Sequence, residues 1–181
     1  MIDLRTYSKG DYDAGPLWKR VLWYIVSRLF FETRIPWTSR LKAGILRVFG
    51  ANAGPDFVIK PSVKIKYPWF LTIGESCWIG ENVWIDNVAA VELGDHVVLS
   101  QGVVLVTGNH DYKSKSFDLR TEPIEIGSFA WIGAHSVVGP KTEIGEGAVL
   151  TVGSVALGHI EARSVYSGNP AKKVRDRIVD E

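Results

Sequence analysis

A polar segment, Thr107 to Gly127, interrupts a regular pattern of apolar residues and carries a histidine at its root. His110 lies between Asn109 and Asp111, and an imidazole exchanges a proton readily at neutral pH. Such a side chain serves as a general base when it reaches the proton of a reacting group. A long excursion from a compact repeat is more often functional than accidental, so this segment is a candidate site. The alternative is a loop histidine that only caps backbone groups.

The pattern on either side of this segment is a repeat of six residues. Twelve hexapeptides can be aligned between residues 73 and 161, and eleven of them begin with Ile, Leu or Val; only Ala156 departs. Glycine is second in seven of them. An even period keeps the first and fifth positions on one side of short strands and the sixth on the other, and glycine supplies a corner. Three hexapeptides per coil predict a β-solenoid of about five coils with ~18 residues each, and weaker starts at Ile59 and Ile65 supply the first coil.

The sixth positions of the repeat are apolar, although they are predicted to face outward. They are Trp78, Trp84, Val98, Val104, Trp131, Val137, Val149 and Val155. Strand propensity alone is one explanation of this set. The other, which we favour, is that a neighbouring subunit or a ligand covers it, because extensive exposed apolar surface marks an interaction site. The repeat therefore predicts a homo-oligomer with a site at its interface.

Two helices and a charged tail are predicted outside the repeat. Pro16 can open a helix that runs to about Thr33, and Ser39 can cap a second helix that ends at Gly50. The tail after Pro170 reads as a short charged helix. These elements would cover the open strand edges at the two ends of the stack. The predicted division is a helical cap over residues 1–55, the β-helix over 56–165 with an extruded loop at 107–124, and the tail over 166–181.

Composition and charge exclude several classes of protein. The 181 residues fit one domain, and the apolar run 17–31 contains three basic residues and is too short to span a bilayer. We read no signal peptide. The single cysteine, Cys77, excludes an internal disulfide and a multi-cysteine zinc site and fits a reducing cytoplasm. Residues 51–162 carry seven basic against thirteen acidic side chains, which argues against binding to nucleic acid.

The repeats resemble those of a known enzyme family once the loop and the C-terminal motifs are added. The run "SFAWIGAHSVVGPKTEIGEGAVLTVGSV", the closing "SGNPAKKVR" and the loop histidine resemble the left-handed β-helix acyltransferases, and within them the sugar O-acetyltransferases. The stretch "RVFGANAG…VIKPSVKIKYPW" and the loop "TGNHDY" look most like the colanic acid biosynthesis acetyltransferase branch. The resemblance covers nearly the whole chain from Leu17 onward. It implies a left-handed coil, a homotrimer, and acetyl-CoA in a groove between two subunits.

The resemblance also implies roles for residues of the loop and of one corner. By motif position His110 is the catalytic base, which a sugar hydroxyl needs because it is a poor nucleophile until its proton is accepted. Asp86 matches a place from which sugar O-acetyltransferases use an asparagine to hold the acceptor. An equal reading of Asp86 is a tolerated corner residue. Asn109 and Asp111 flank the base, and we expect one of them to contact the sugar or to orient the imidazole.

The resemblance also implies which residues bind acetyl-CoA, the acyl donor. The tryptophan beside the thioester is Trp131. The positions along the pantetheine arm are Ala134, Val152, Leu157 and Gly158, and the basic residues near the adenosine phosphates are Lys172, Lys173 and Arg175. Relatives often have Thr-Lys where this chain has Leu157-Gly158, so a hydroxyl and a cation are missing. The alternatives are interface packing for the tryptophan and a solvated tail for the basic residues.

No metal is expected at the site. The zinc carbonic anhydrases that share this solenoid use a pair of histidines five residues apart, and the chain has no such pair. His96, His135 and His159 occupy third or fourth positions of their repeats, where surface exposure is the simpler explanation.

Together these features predict an acetyl-CoA-dependent O-acetyltransferase for a sugar hydroxyl, in exopolysaccharide or surface polysaccharide biosynthesis. An amino sugar or a small antibiotic as acceptor stays open, and so does a non-catalytic solenoid that serves in assembly. We expect a cytoplasmic homotrimer. The apolar face of the first helix, with Trp18, Leu22, Ile25 and Leu29, either packs over the first coil or in part contacts the inner membrane surface, where the basic excess of residues 1–50 would help.

Overall fold

The computed structural model describes residues 2–179, and its main element is a three-sided parallel β-helix. The first face contains β1 (Asn52–Ala53), β4 (Leu71–Ile73), β7 (Val91–Leu93), β12 (Ile124–Ile126), β15 (Thr142–Ile144) and β18 (His159–Ile160). The second face contains β2 (Val58–Ile59), β5 (Trp78–Ile79), β8 (Val98–Leu99), β13 (Trp131–Ile132), β16 (Val149–Leu150), β19 (Ser164–Gly168) and β20 (Ala171–Asp176). The third face contains β3 (Lys64–Ile65), β6 (Trp84–Asp86), β9 (Val104–Val106), β14 (Val137–Val138) and β17 (Val155–Ala156). These strands form five complete coils and a sixth with two faces, which confirms the predicted left-handed parallel β-helix.

The coils differ in length. Register pairs join Ile59 to Ile79, twenty residues on, Ile132 to Leu150, eighteen on, and Leu150 to Tyr166, sixteen on. The expected eighteen residues per coil hold only in the middle of the stack. Compared with the expected eighteen, the first coils have two more residues at one corner and the last coil has two fewer. The hexapeptide alignment made from the sequence is therefore out of register by two residues in the last coil.

The interior of the β-helix is a column of aliphatic side chains. First and fifth positions of the hexapeptides point inward as predicted, and Ile79, Leu99 and Ile132 are fully buried. Burial of each such side chain stabilises the fold by roughly 1.5–3 kcal/mol. The stacked interior therefore stabilises the coils in addition to the backbone hydrogen bonds that set their register.

Most of the sixth positions are accessible. Trp78, Trp84 and Trp131 are 44%, 45% and 48% exposed. Val149 departs from the pattern, because it is only 9% exposed. The large outward side chains lie on the second and third faces, which are therefore apolar on the outside.

The glycines at second positions allow the coils to approach each other at the corners. A Cβ atom added to Gly133 would lie 2.6 Å from the backbone nitrogen of Val152 in the next coil, and one added to Gly145 would clash with the backbone nitrogen of Ala162. Real Cβ atoms do not approach backbone atoms this closely. The glycine is needed for this close stacking between coils.

Two helices cover the top of the stack. Helix α1 (Leu17–Phe30) begins after Pro16 as predicted but ends three residues earlier than expected. Helix α2 (Ser39–Val48) is capped by Thr38 and not by Ser39, because the Thr38 hydroxyl accepts a hydrogen bond from the Leu41 backbone nitrogen at 3.3 Å. Two short 3-10 helices span Leu4–Thr6 and Pro68–Phe70. Within residues 2–179, no helix has both the length and the apolar character that a membrane span requires.

Aromatic packing attaches the helices to the first coil. The Trp23 ring lies 5.2 Å from Phe31 and 5.1 Å from Phe49 between ring centres, and its indole nitrogen donates to the Ile65 carbonyl at 2.8 Å. Trp23 and Phe31 are almost completely buried. One side of α1 therefore does pack over the first coil.

The predicted C-terminal helix is wrong. Residues Ala171–Asp176 form strand β20, which runs antiparallel to β19 with Ser167 opposite Lys172. The open edge of the last strand offers unpaired backbone groups, and pairing with β20 satisfies them where a helix would leave them exposed.

We expect Gly133→Ala to lower the free energy of unfolding by about 1–3 kcal/mol, because its methyl group would push against the backbone of the next coil. Gly44→Ala is the matched control: this exposed glycine lies inside α2 with no atom within 4 Å of an added Cβ, so alanine should stabilise by about 0.5–1 kcal/mol. Denaturant unfolding of the two variants measures both effects. Equal stability of Gly133→Ala and the wild type would contradict the role given to the corner glycines.

Candidate active site

Asp86 and the root of the loop that carries His110 lie at the same corner of the β-helix. Strands β3, β6, β9, β14 and β17 are stacked by parallel pairing, so the residues at and just after their C-terminal ends lie in one column at about 4.8 Å per coil. We call this column the third corner. From top to bottom it contains Lys66–Tyr67, Asp86–Asn87, Thr107, Gly139–Pro140 and Leu157–Gly158.

The extruded loop is fixed to this corner at its root. Strand β9 ends at Val106 and β12 begins at Ile124, and between them a hairpin is formed by β10 (Gly108–His110) and β11 (Leu119–Thr121). Thr107 is fully buried, and both its backbone nitrogen and its hydroxyl donate to the Asp86 carbonyl, at 3.2 and 3.1 Å. The loop histidine is therefore held three residues from an anchored point.

The imidazole of His110 is held by a backbone carbonyl inside its own loop. Its Nδ1 lies 3.0 Å from the Phe117 carbonyl oxygen, and its ring stacks on the Phe117 ring at 4.4 Å with an interplanar angle of 4°. A carbonyl can only accept, so Nδ1 carries a proton and Nε2 of the neutral ring is left with a free lone pair. Phe117 has a positive φ of 53°, which turns its carbonyl out of the regular course of the chain. Nothing in the sequence pattern identified Phe117.

The two residues beside His110 have other partners. The Asn109 side chain accepts from the backbone nitrogen of His110 at 2.8 Å. The Asp111 carboxylate accepts from Arg120 at 2.6 Å and from the backbone nitrogen of Lys113 at 3.1 Å. Burial would raise the pKa of Asp111, but the hydrogen bonds from Lys113 and Arg120 outweigh it and lower the pKa. Neither side chain contacts the imidazole, contrary to the expectation that one of them could orient it. The Phe117 carbonyl orients the ring instead.

The N-terminal segment 3–8 lies along the loop. The backbone nitrogen of Asp3 donates to the Lys115 carbonyl at 2.8 Å, and the backbone nitrogen of Leu119 donates to the Ser8 carbonyl at 3.1 Å. The Tyr7 ring lies 6.0 Å from that of His110. These contacts join residues about 110 positions apart, and no local signal in the sequence predicts them.

A groove of about 500 Å³ lies between α1 and the third face, and Asp86 lines it. Asp86 forms an ion pair with Lys66 at 2.9 Å. The Tyr12 hydroxyl and the Arg20 Nε are shielded from solvent without a hydrogen-bond partner among the described residues, and Arg20 lines the groove. Burial, followed by the nearby Tyr67 hydroxyl, raises the pKa of Tyr12 to about 12, so the phenol keeps its proton. Charged groups such as Lys66 and Asp86 line the groove, and they suit a ligand that carries hydroxyls.

The residues expected to contact acetyl-CoA lie on two different corners. Leu157 and Gly158 belong to the third corner, two coils below the loop root, and both are exposed. Ala134 and Val152 stack on the corner after the second face, where the Gly153 nitrogen donates to the Ala134 carbonyl at 2.8 Å. The third face, with its row of outward valines, separates the two corners. The structure does not bring the set together within one chain.

Trp131 lies on the second face near the corner of Ala134. Its ring is 48% exposed, and its indole nitrogen donates to the Ser100 hydroxyl at 2.9 Å. This hydrogen bond fixes the orientation of an accessible aromatic surface beside the predicted path of the pantetheine arm.

The three basic residues of β20 are not equivalent. Lys173 contacts Glu161 at 2.8 Å and Asp176 at 2.9 Å, and these carboxylates raise its pKa. Its charge is already balanced, which makes it a poorer phosphate ligand than the sequence suggests. Lys172 and Arg175 are exposed and form no ion pair within residues 2–179. Lys172 and Arg175 are therefore better candidates than Lys173 for contact with the phosphates.

The other histidines lie outside this corner. His96 stacks on Phe129 at 4.9 Å, and His135 and His159 are exposed. In the part of the chain that the structure describes, no three His, Cys, Asp or Glu side chains are close enough to hold a metal ion.

Comparison with known proteins gives close relatives, although no family model matches the chain. The chain is 38% identical, over all of both sequences, to a protein of Escherichia coli (strain K12) that bears the name "Putative colanic acid biosynthesis acetyltransferase WcaF". Its fold is similar to that of a maltose O-acetyltransferase from Clostridium difficile 630, with a TM-score of 0.80 and 25% identity over 90% of this chain and 88% of that one. It is similar, at a TM-score of 0.80 and 21% identity over 97% of both chains, to the hexapeptide-repeat acetyltransferase VCA0836 from Vibrio cholerae O1 biovar eltor, solved with acetyl-CoA.

We expect the neutral ring of His110 to carry its proton on Nδ1, because the Phe117 carbonyl has no proton to offer. Nitrogen-15 NMR of the imidazole groups distinguishes the two tautomers, and the exposed ring of His135 gives a reference outside the loop. A neutral His110 ring protonated on Nε2 would contradict the geometry of the site.

Proposed function

The chain belongs to the hexapeptide-repeat acetyltransferases, and we propose from this that it transfers the acetyl group of acetyl-CoA to a sugar hydroxyl in exopolysaccharide or surface polysaccharide biosynthesis. The observation that carries the proposal is the fixed imidazole of His110, whose Nε2 is left free by the hydrogen bond to the Phe117 carbonyl. The name of the Escherichia coli relative supports a polysaccharide acceptor, and the acetyl-CoA complex of the Vibrio cholerae protein supports acetyl-CoA as the donor.

The reaction follows from a base placed at the loop root. Nε2 of His110 accepts the proton of the sugar hydroxyl while the oxygen attacks the thioester carbonyl. The tetrahedral intermediate then collapses, the carbon–sulfur bond breaks, and the imidazolium returns its proton to the departing thiolate. The products are an acetyl ester and CoA, and Nδ1 keeps its proton throughout because the Phe117 carbonyl holds it.

The acceptor belongs in the groove beside Asp86. This groove has room for a sugar unit, and Asp86 lies one coil above the loop that carries the base. Arg20 lines this groove and is a candidate contact for the sugar, and it was not identified from the sequence. Asn109 and Asp111 stay candidates for a sugar contact through whichever lone pairs their present partners leave free.

The donor belongs lower on the same corner. Gly158 has no side chain to cover the backbone, and Leu157 offers an apolar contact for the pantetheine arm in place of the hydroxyl and cation that relatives often have there. Ala134, Val152 and Trp131 lie across the third face, so they would contact the same arm most simply if a neighbouring subunit supplied them. Lys172 and Arg175 would contact the phosphates, with Lys173 as a weaker candidate.

We also propose a homotrimer in the cytoplasm with a peripheral contact at the inner membrane surface. A trimer would cover the outward tryptophans and valines and would bring two corners of different subunits together. The only cysteine, Cys77, is free and buried, which is compatible with a reducing compartment.

His110→Ala should lower turnover by ~10² to 10⁴ and leave CoA binding intact, because the ring accepts a proton without holding the donor. Release of free thiol from acetyl-CoA, screened over sugar, amino sugar and small antibiotic acceptors, measures turnover; thermal protection by CoA measures binding. His159→Ala, an exposed ring on the first face, is the control and should be fully active. Equal turnover of His110→Ala and the wild type would remove the histidine from the mechanism. A wild type that CoA does not protect would favour an assembly protein.

Val104→Glu should dissociate the trimer and abolish activity, because it introduces a carboxylate into the apolar outside of the third face. Light scattering should give three times the mass of one chain for the wild type and the mass of a single chain for the variant. Val48→Glu, at an 84% exposed position of α2, should leave the mass unchanged. A monomeric wild type at micromolar concentration would contradict the proposed assembly.

A further inference from the structure

Helix α1 has three stripes of residues, each in a different environment. Trp23 faces the first coil and is buried, while Val26 and Phe30 pack against the core with one edge left accessible. Leu17, Val21, Tyr24 and Arg28 line the groove that contains Asp86. The remaining stripe is Trp18, Leu22, Ile25 and Leu29, which are 68%, 46%, 50% and 58% exposed. Packing over the first coil therefore explains only one side of this helix.

The exposed stripe continues into a second apolar surface. Between α1 and α2 lies a groove of about 490 Å³, lined by Val26, Phe30, Leu41, Ile45, Val48 and their neighbours. Val48 is 84% exposed at its edge. Beyond Leu29, the linker adds the exposed side chains of Ile35 and Trp37, and the Trp37 indole donates to the Leu29 carbonyl at 3.0 Å. We call the stripe, this groove and the linker side chains the docking surface.

The charge beside the docking surface is positive. Residues 17–48 contain seven basic side chains and one acidic side chain, Glu32, although Lys42 is fully buried and Lys19 and Arg20 face the first coil and the Asp86 groove. Glu32 pairs with Arg28, while Arg34 and Arg40 are exposed and form no ion pair within residues 2–179. An apolar helical face bordered by arginines has the chemistry of a protein surface that enters the headgroup region of an anionic bilayer.

We infer that the docking surface binds an anionic phospholipid bilayer and places the acceptor groove beside it. A second copy of the chain docked through the same surface would bring two segments of the same positive charge together, whereas anionic lipid complements that charge. The aliphatic side chains and Trp18 enter the lipid, and Arg34 and Arg40 meet the phosphates.

This placement names the class of acceptor, and in that respect it rests on the proposed function. The groove stripe and the exposed stripe are offset by one residue along α1, which is 100° around a helix. A sugar held beside Asp86 therefore lies within about one helix diameter, ~10 Å, of the lipid surface. A glycan attached to a membrane lipid fits this geometry, because its sugar reaches the groove while its lipid stays in the bilayer.

Vesicle flotation tests the inference without donor or acceptor, so it is independent of the acetyl transfer. We expect the wild type to float with vesicles of phosphatidylcholine and phosphatidylglycerol at low salt, at least about tenfold more than with phosphatidylcholine alone, and to be released by high salt. The double variant Leu22→Glu, Ile25→Glu should lose about tenfold or more of this binding. The double variant Ile178→Glu, Val179→Glu, which adds the same two carboxylates at 84% and 72% exposed positions of the tail, should bind as the wild type does.

Two further measurements keep the result interpretable. Thermal protection by CoA should be the same in the double variant and the wild type, which shows that the variant is folded. Light scattering should give both the same mass; a lower mass for the variant would make the docking surface a subunit contact and overturn the inference. A wild type that stays in solution with anionic vesicles at low salt would overturn it as well, as would a double variant that still floats.

Discussion

Parallel stacking of short strands is the constraint on which the rest of this molecule depends. Each coil binds the next through backbone hydrogen bonds such as that from the Trp84 nitrogen to the Val103 carbonyl, 2.8 Å long, and glycines at the corners allow this approach. Because the coils cannot slide, residues at the ends of equivalent strands form a fixed column, with about 4.8 Å between one coil and the next. The third corner therefore places Asp86, the loop root and Leu157–Gly158 along one line, and we propose that acceptor, base and donor follow this order; the other donor candidates, Ala134 and Val152, lie on the neighbouring corner.

Strand stacking does not position the loop, and other contacts hold it. Thr107 fixes its root to Asp86, the hairpin closes on itself, and segment 3–8 crosses it from outside. Inside this frame the Phe117 carbonyl selects the tautomer of His110. A base held in one orientation and one protonation pattern loses little entropy when the substrates arrive, and this preorganisation is what catalysis by proton transfer requires.

The sequence predicted the β-helix well because a hexapeptide repeat is a local signal with an even period. It also located the histidine, because the loop interrupts that repeat. It failed where the deciding contact is distant: residues 171–176 form a strand because β19 offers an open edge, and the charged pattern after Pro170 contains no sign of this. The Phe117 carbonyl, the unpartnered Tyr12 and the crossing segment 3–8 were missed for the same reason. The pairing of Lys173 with Glu161 and Asp176 likewise shows only in three dimensions.

A crystal structure of the protein with CoA bound tests the central claim most directly, because the claim is that one corner orders donor, base and acceptor. The account predicts that the CoA sulfur lies about 3.5 Å from Nε2 of His110, with the pantetheine arm running past Leu157 and Gly158. It also predicts that the groove beside Asp86 stays open on the other side of the base. CoA bound along the first face, beside Glu92, Glu125 and Glu143, or with its sulfur far from His110, would contradict the account.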